Sequence, residues 1–187
     1  MARIILASAS KQRRLLLREA GLRFRVEKSG YRENMRLRLS PRKLAMHLAL
    51  GKAKRVAARH PGAIVIGADT IVALGKNIFG KPKNAKDGER ILRALSGRTH
   101  EIITGYAVVR GKKSSCGVAS ASVTLRELSD DEIRSYAHTK ESLSAAGAYA
   151  IQGKGIRFIR KIAGKEDVIR GLPLDSVLKA VRAMAEK

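Results

Sequence analysis

The chain has 187 residues, of which 44% are hydrophobic, so it is long and apolar enough for a folded protein with a sizeable core. A single cysteine, Cys116, excludes an internal disulfide, and no apolar stretch reaches membrane-spanning length, so we expect a soluble cytoplasmic protein. The 39 Lys and Arg exceed the 16 Asp and Glu by a formal charge of +23, which favours anionic partners.

Short apolar runs and helical periodicity alternate in the first half of the chain. The pattern predicts, in order, a buried strand over 3–7, a helix over 11–19, an edge strand over 22–27, a long helix from Ser40-Pro41 to about residue 60, and a strand pair over 63–74. The stretch from Ser29 to Leu39 is polar and irregular, so we expect a loop there.

The second half adds a predicted hairpin. We expect a helix over 85–95, strands over 99–109 and 117–125, a short helix opened by a capping box at 129–132, a strand over 156–162 and a terminal helix from Pro173. Residues 145–155 are rich in Gly and Ala and receive no assignment. The order predicts a single α/β domain over 1–187, with a mixed sheet flanked by helices.

Asp69 is the most informative residue, because it is the only charge in the apolar stretch 63–74. Burying an ionised carboxylate costs several kcal/mol unless a cation or hydrogen bonds compensate for it. An aspartate in a turn between two strands is the simpler interpretation. We favour a functional carboxylate, because ligands of α/β sheets gather at the carboxyl ends of strands, where the pattern places Asp69.

The segment Ser8-Ala-Ser-Lys-Gln-Arg-Arg14 opens the first helix with cations. Cations in a first turn oppose the helix dipole. They become favourable if an anion binds there to free backbone N–H groups, serine hydroxyls and an arginine. A solvated basic helix end explains the same residues equally well, so the segment indicates a phosphate site without establishing one.

Four further positions admit a structural and a functional interpretation. Lys52 could be a surface lysine whose stem packs along its helix, and Lys81 could be a turn residue. Glu33, the only acid in its loop, could pair with neighbouring arginines. Residues 152–155, Gln-Gly-Lys-Gly, could form a turn or a loop whose backbone closely approaches a ligand.

Together these segments are more specific than any one of them. In order, the chain contains Ser8-x-Ser10-x-x-Arg13, Lys52, Ala68-Asp69-Thr70, Gly80-Lys81-Pro82, Ser96-Gly97-Arg98-Thr99-His100 and Gly147-Ala148-Tyr149-Ala150-Ile151-Gln152-Gly153. On these blocks the chain resembles the Maf family of nucleoside triphosphate pyrophosphatases over nearly its whole length. The resemblance implies a strongly twisted mixed sheet flanked by helices, with two lobes and a nucleotide cleft, as in Maf and ITPase-like folds.

The resemblance also implies a reaction: hydrolysis of a nucleoside triphosphate to the monophosphate and pyrophosphate, with Mg²⁺ or Mn²⁺ as cofactor. By match, Asp69 is the general base that activates water, and Asp69 also binds the metal. Glu33 matches the family's acidic loop residue, a catalytic residue that binds the metal or helps to activate the water. Lys52 and Lys81 match the family's catalytic lysines, which reach the triphosphate. The matched substrate-binding residues are Ser8, Ser10, Gln12, Arg13, Thr70 and Gln152. A homodimer is expected on the same ground.

The resemblance extends to the substrate. Thr70 and Gln152 match members that act on dTTP and UTP, in contrast to the branch that acts on 7-methyl-GTP. Lys11 and Gln12 depart from the family's usual S-x-S-P-R-R, and Gln12 occupies a specificity position. Gly51, Ser144 and Ala145 stand where relatives carry charged residues, and acids lost near a metal site predict weaker metal binding.

An alternative hypothesis is a catalytically weakened Maf-like scaffold that binds nucleic acid. The charge of +23 and the altered motif positions motivate it. The cations are nevertheless spread along the chain with few aromatic residues between them, unlike a dedicated nucleic-acid-binding protein. We favour the enzyme, because Asp69, Glu33, Lys52 and Lys81 are all present.

Overall fold

A mixed sheet organises the fold. The computed structural model describes residues 3–35 and 37–186. Its strands are β1 (Ile4–Leu6), β2 (Arg25–Val26), β3 (Ile64–Leu74), β4 (Asn77–Phe79), β5 (Thr99–Arg110), β6 (Lys113–Leu125) and β7 (Ile159–Ala163). They lie in the order β2-β1-β3-β5-β6-β7, and β4 pairs with β3. Strand β1 is parallel to β2 and β3, whereas β4 and β7 are antiparallel to their partners, so the predicted mixed α/β sheet is confirmed.

Helices connect the strands. They are α1 (Lys11–Glu19), α2 (Pro41–Ala57), α3 (Ala85–Leu95), α4 (Asp130–Ala137), α5 (Lys140–Ser144), α6 (Glu166–Ile169) and α7 (Leu174–Ala185), with 3-10 turns at Ala146–Ala148 and Lys154–Phe158. Side chains cap several N-termini, and the predicted capping box is present between Ser129 and Glu132. Among the residues described, no helix is both long and apolar enough to cross a membrane.

The chain divides into two compact units. The first comprises Met1–Thr70, Thr104–Ala119 and Lys165–Lys187, and the second comprises Ile71–Ile103 and Ser120–Gly164. The boundaries between the two units fall within three strands, β3, β5 and β6, so part of each strand belongs to each unit. The single domain predicted over the whole chain therefore stays a prediction, with two units inside it.

In the first unit, helices cover both faces of the sheet. Alternation along β3 points Ile64 and Ile66 to one face and Val65 to the other. The Ile64 face packs against Leu16 and Leu17 of α1 and against the apolar side of α7. The opposite face packs against three small or branched residues of α2, namely Ala49, Ala53 and Val56. Strand β1 and the first half of β3 are thus covered on two sides, which explains their continuous apolar sequences.

Helix α2 lies unusually close to the sheet, because two strands carry glycine beneath it. A Cβ on Gly67 of β3 would lie 2.4 Å from the carbonyl oxygen of Ala49. A Cβ on Gly105 of β5 would lie 2.4 Å from the carbonyl oxygen of Ala45. Backbone atoms cannot give way as a flexible side chain can, so both positions require glycine. This close packing fixes the distance between α2 and β3.

The second unit is built around α3, which packs against α4, α5 and the 3-10 turn at Ala146–Ala148. His100 is buried there, and its Nε2 lies 2.6 Å from Tyr149 Oη. Tyr136 meets Phe158 edge to face, with ring centroids 4.9 Å apart. These aromatic contacts anchor the chain on either side of residues 150–155.

Two strand predictions are wrong. Residues 63–74 were expected to be a pair of strands meeting at Asp69, but β3 runs unbroken from Ile64 to Leu74 with Asp69 at its middle. Residues 156–162 were expected to be a strand, but Lys154–Phe158 is a 3-10 helix and β7 begins at Ile159. In the first case Asp69 lies inside one strand, where Lys52 of α2 compensates its charge.

The hairpin is also tighter than predicted. Strand β6 begins at Lys113 instead of residue 117, and β5 extends to Arg110. The turn residue Gly111 has a φ of +58°, which suits a short hairpin connection. The polar residues after it were interpreted as loop, but they form an exposed stretch of strand.

Candidate active site

Asp69 and Lys52 form a buried ion pair in the first unit. Asp69 lies at the centre of β3 and is 6% exposed, and Lys52 on α2 is 9% exposed. Lys52 Nζ donates a hydrogen bond to Asp69 Oδ1. The contact exists because Gly67 lets α2 sit directly on β3, so that Lys52 reaches the strand within its own unit. The interpretation of Lys52 as a surface lysine is therefore wrong.

Glu33 joins the same cluster. Its Oε1 lies 2.7 Å from Lys52 Nζ, and its side chain is 43% exposed. Among the residues that the structure describes, Glu33 pairs with Lys52 and not with the nearby Arg32 or Arg38. One ammonium thus stands between two carboxylates, one buried and one reaching solvent. We call Glu33, Lys52 and Asp69 the carboxylate–lysine cluster.

The loop that carries Glu33 rests on helix α2 through Tyr31. The Tyr31 ring covers Gly51, where a Cβ would lie 2.3 Å from the ring. Tyr31 Oη also lies 3.4 Å from His47 Nε2 on the same helix. Gly51, which departs from the charged residue usual in the resembled family, therefore provides the space in which Tyr31 holds the loop.

Burial sets the proton affinity of Asp69. The low-dielectric surroundings raise the pKa of this carboxyl above its ordinary value, and Glu33 raises it further. The charges of Lys52 and Arg13 and the bond from Lys52 act in the opposite direction but only partly compensate. A carboxylate with raised pKa, held beside a cation, is suited to accept a proton.

The cluster offers two carboxylates to a divalent cation. No group of three or more His, Cys, Asp or Glu able to hold a metal ion occurs within residues 3–35 and 37–186. Asp69 and Glu33 nevertheless converge on one cation, the Lys52 ammonium. Mg²⁺ is commonly held by one or two carboxylates with the substrate's phosphates completing its shell. The residues therefore fit an ion whose remaining ligands come from water and substrate.

Ser8, Ser10 and Arg13 lie together at the start of α1. Ser10 is the N-cap, and its Oγ accepts from the Arg13 N–H at 3.4 Å. Ser8 Oγ accepts from the Ser10 N–H and from Arg13 Nη1, both at 3.2 Å. The neighbouring Gln12 is half-buried, and Lys11 is exposed. The segment brings together three of the four substrate-binding residues that the sequence placed there.

Arg13 is buried and bonded inside the protein, so the interpretation of this segment as a solvated basic helix end does not hold for Arg13. Its Nε donates to the carbonyl oxygen of Gly171 at 2.8 Å, and its Nη2 donates to Thr70 Oγ1 at 3.0 Å. Burial lowers the pKa of the guanidinium, while the charges of Asp69 and Glu33 raise it. Arg13 therefore adds positive potential at the cluster and fastens β3 to the turn at Gly171.

The hydrogen-bond directions around Thr70 are fully determined. Thr104 Oγ1 donates its only proton to the carbonyl oxygen of Val168 at 2.8 Å. Thr70 must then donate to Thr104 Oγ1 at 3.0 Å while accepting from Arg13. The hydroxyl next to Asp69 thus links β3 to β5 and, through Thr104, to α6. Thr104, which sequence reasoning missed, was recognisable only as a small polar residue inside an apolar strand.

Lys81 and Gln152 belong to the second unit. Lys81 is exposed in the loop between β4 and α3, next to the buried Pro82. Gln152 is exposed at the tip of the turn before the 3-10 helix Lys154–Phe158. Their assignments to the triphosphate and to the nucleobase stay predictions.

The family match and the two relatives described below each cover nearly the whole chain. The family model described as Maf-like protein matches residues 3–184. The dTTP/UTP pyrophosphatases of Bacillus cytotoxicus and of Bacillus cereus strain AH820 are 41% and 40% identical to it over 182 residues, which is 97% of this chain and 95% of each relative. A HAM1 protein from Coxiella burnetii aligns over 100% of both chains with a TM-score of 0.49 and 12% identity, a likeness too remote to bear on function.

Proposed function

Because this chain belongs to the Maf family, we propose that it is a nucleoside triphosphate pyrophosphatase that acts on dTTP and UTP. The observation that carries the proposal is the carboxylate–lysine cluster, in which a buried carboxylate of raised pKa shares one ammonium with a second, partly exposed carboxylate. Two relatives of about 40% identity over nearly the whole chain bear the names of dTTP/UTP pyrophosphatases.

Asp69 acts as the general base. Water attacks the α-phosphorus, its proton passes to the Asp69 carboxylate, and the bond to the β-phosphate oxygen breaks to release pyrophosphate and the monophosphate. Lys52 neutralises Asp69 in the free protein. When a triphosphate draws the ammonium to itself, Asp69 loses its strongest counter-charge and becomes more basic, as the step requires.

Asp69 and Glu33 would hold a divalent cation, Mg²⁺ or Mn²⁺, which when bound neutralises charge on the phosphates. Lys52 and Lys81 contact the triphosphate as ammonium donors. Ser8, Ser10 and Arg13 orient the phosphates from the start of α1, where backbone N–H groups and the helix dipole favour anions.

Thr70, Gln152 and Gln12 are assigned to the choice of nucleobase. Gln152 is exposed, so its amide can donate to and accept from a pyrimidine edge. Thr70 already bonds Arg13 and Thr104, so it contributes by position more than by a free hydroxyl. The proposal includes a cytoplasmic location and a homodimer, which rest on the single cysteine and on the family resemblance respectively.

A second candidate function, nucleic-acid binding, is favoured by one observation. The first unit carries 25 Lys and Arg against 8 Asp and Glu, a formal charge of +17, whereas the second unit has 14 against 8. A filter-binding titration with RNA and DNA tests it, because phosphate contacts predict affinity that falls steeply with salt. Absence of binding at physiological salt removes this candidate.

Pyrophosphate release from a panel of nucleoside triphosphates tests the proposed function. The panel contains dTTP, UTP, CTP, ITP and 7-methyl-GTP, each with Mg²⁺, with Mn²⁺ and with neither. We expect metal-dependent release from dTTP and UTP that falls by about 10²- to 10⁴-fold in Asp69→Asn. The matched control is Asp175→Asn, since Asp175 is an exposed aspartate of the same unit. Undiminished release in Asp69→Asn would overturn the role of Asp69.

A further inference from the structure

Residues 150–155 form a turn that presents Gln152, and two side chains fasten both of its ends. The Ala150 N–H donates to Tyr136 Oη at 3.1 Å. The Gly155 N–H donates to Glu141 Oε1 at 3.0 Å. Between them, the Gly153 N–H closes the turn on the Ala150 carbonyl at 3.2 Å. Gln152 lies at the exposed tip.

The two anchors are bonded to each other. Tyr136 Oη donates to the same Glu141 Oε1 at 2.6 Å, so one carboxylate oxygen accepts both the phenol proton and the Gly155 N–H. Tyr136 comes from α4 and is 1% exposed, and Glu141 comes from α5. We call Tyr136 and Glu141 the anchor pair.

Glycine in the turn is explained by the anchor pair. A Cβ on Gly153 would lie 2.4 Å from the Glu141 carboxyl carbon, and a Cβ on Gly155 would lie 2.7 Å from Tyr136 Oη. The φ of Gly153 is −140°, which any residue adopts, so the requirement at this position is for space. Of the two sequence interpretations of Gln-Gly-Lys-Gly, the turn is the one observed, and its glycines leave space for the Glu141 carboxylate and the Tyr136 phenol.

The charge of Glu141 supports the same arrangement. Burial raises the pKa of this carboxyl, but the bonds from Tyr136 Oη and from the Gly155 and Lys154 N–H groups outweigh it and lower the pKa. Burial and the neighbouring Glu141 together raise the pKa of the Tyr136 phenol. At neutral pH the pair is therefore an ionised carboxylate that accepts from a neutral phenol, a strong, charge-assisted bond.

We infer that Glu141, together with Tyr136, is the positioning residue for nucleobase selection, because it holds the Ala150–Gly155 turn in the one conformation that presents Gln152. The inference rests on the proposed function, in which Gln152 contacts the nucleobase. An amide selects a base only if its donor and acceptor are held in place, and a displacement of about 1 Å costs on the order of 10²-fold in well-positioned sites. Sequence reasoning gave Glu141 and Tyr136 no role.

The test compares Glu141→Ala, Glu141→Gln, Gln152→Ala and the double variant Glu141→Ala/Gln152→Ala. We measure kcat and KM for UTP and CTP in each, with Glu101→Gln as the control, since Glu101 is an exposed acid of the same unit. In Glu141→Ala we expect the UTP/CTP selectivity to fall by about 10- to 100-fold, mainly through KM. Glu141→Gln keeps an acceptor oxygen and should restore most of the selectivity.

The double variant separates positioning from general structural support. If Glu141 acts through Gln152, removing Glu141 in the Gln152→Ala background leaves the selectivity unchanged, because the two effects are not additive. Additive effects, or unaltered selectivity in Glu141→Ala, would overturn the inference.

Hydrogen exchange tests the anchoring itself, independently of turnover. Glu141→Ala should accelerate exchange of the Ala150 and Gly155 amides, while Glu101→Gln leaves them protected. Equal protection in Glu141→Ala and the unaltered chain would refute the inference even if the protein releases no pyrophosphate. Absence of release from every nucleotide, with exchange accelerated as expected, would instead refute the proposed function and leave the anchor intact.

Discussion

At the scale of single residues, the candidate site is organised around Lys52. Its ammonium bonds the buried carboxylate of Asp69 and the partly exposed carboxylate of Glu33. The sequence singles out Asp69 as the one charge in a long apolar stretch, and the structure buries it beside Lys52. The sequence could not indicate that Lys52 faces inwards, because a lysine on a helix has the same sequence signature whether it is buried or exposed.

Asp69→Asn and Lys52→Met should change stability in different directions. The raised pKa means that the ionised carboxylate is held at a net cost at neutral pH, so Asp69→Asn should unfold at the same temperature or a higher one. Lys52→Met leaves Asp69 buried without its main counter-charge and should cost about 3 kcal/mol. Thermal unfolding measures both. A larger loss in Asp69→Asn than in Lys52→Met would contradict this account of the pair.

Gly51→Ala should impair catalysis while leaving the helix more stable. A Cβ there would lie 2.3 Å from the Tyr31 ring and would push away the loop that carries Glu33. We expect kcat/KM to fall by about 10- to 100-fold, although alanine favours a helix by about 1 kcal/mol over glycine. Gly51→Ala/Tyr31→Ala removes the clash but not the loss of support for the loop, so it should keep the added helix stability without recovering activity. Full activity in Gly51→Ala would disprove the role of Tyr31.

At the scale of elements, the site depends on the close packing of α2 on β3. Gly67→Ala would place a Cβ 2.4 Å from the Ala49 carbonyl oxygen. Because backbone must move, we expect a loss of about 1–3 kcal/mol and of the Lys52–Asp69 contact. Gly88→Ala on α3 is the control, since its Cβ would meet the nearest atom at 3.4 Å, an ordinary contact. Chemical denaturation distinguishes the two, and equal stability would contradict the packing argument.

The elements that the sequence predicted well are those with strong periodic patterns or caps. Helix α3 occupies the predicted residues 85–95, and the Ser129 capping box opens α4. The middle of β3 was predicted to be the junction of two strands because Asp69 is a charge in an apolar stretch, whereas a lysine distant in sequence compensates that charge inside one continuous strand. The turn at 150–155 received no assignment because its conformation depends on Glu141 and Tyr136, which lie on other elements.

At the scale of the whole molecule, the formal charge of +23 gathers mainly in the first unit. The sequence placed these cations along the whole chain and could not assign them to a unit, because the first unit is assembled from three separate segments. Fold class followed from the alternation of strands and helices, whereas the carboxylate–lysine cluster required segments from three places in the chain to meet.

Stability should fall as the pH is lowered from 6.5 towards 4, because of His100. Burial lowers the pKa of His100 to about 4, so the unfolded chain binds its proton at higher pH than the folded protein does. The stabilisation that the neutral, buried His100 gives the folded protein is complete above pH 6.5. It is lost progressively down to about pH 4 and amounts to about 3 kcal/mol. The bonds of Glu132 with Arg126 and Ser129 lower its pKa to about 2, so its protonation reduces stability only below its ordinary value of 4.5.

Chemical denaturation of the unaltered chain and of His100→Gln between pH 7 and pH 4.5 isolates this effect. Glutamine can still bond Tyr149 Oη but does not titrate, so the variant should lose about 2 kcal/mol less than the unaltered chain over this range. Parallel pH profiles for the two proteins would contradict the assignment to His100.

The measurement that tests the central claim most directly is hydrolysis of UTP in ¹⁸O-labelled water, with mass spectrometry of both products. Attack of water on the α-phosphorus, with Asp69 as base, predicts ¹⁸O in the monophosphate and none in the pyrophosphate. In the same assay labelled monophosphate should form about 10²- to 10⁴-fold more slowly with Asp69→Asn and at the normal rate with Asp175→Asn. Label in the pyrophosphate, or labelled monophosphate formed at an undiminished rate by Asp69→Asn, would contradict the proposed reaction and its base.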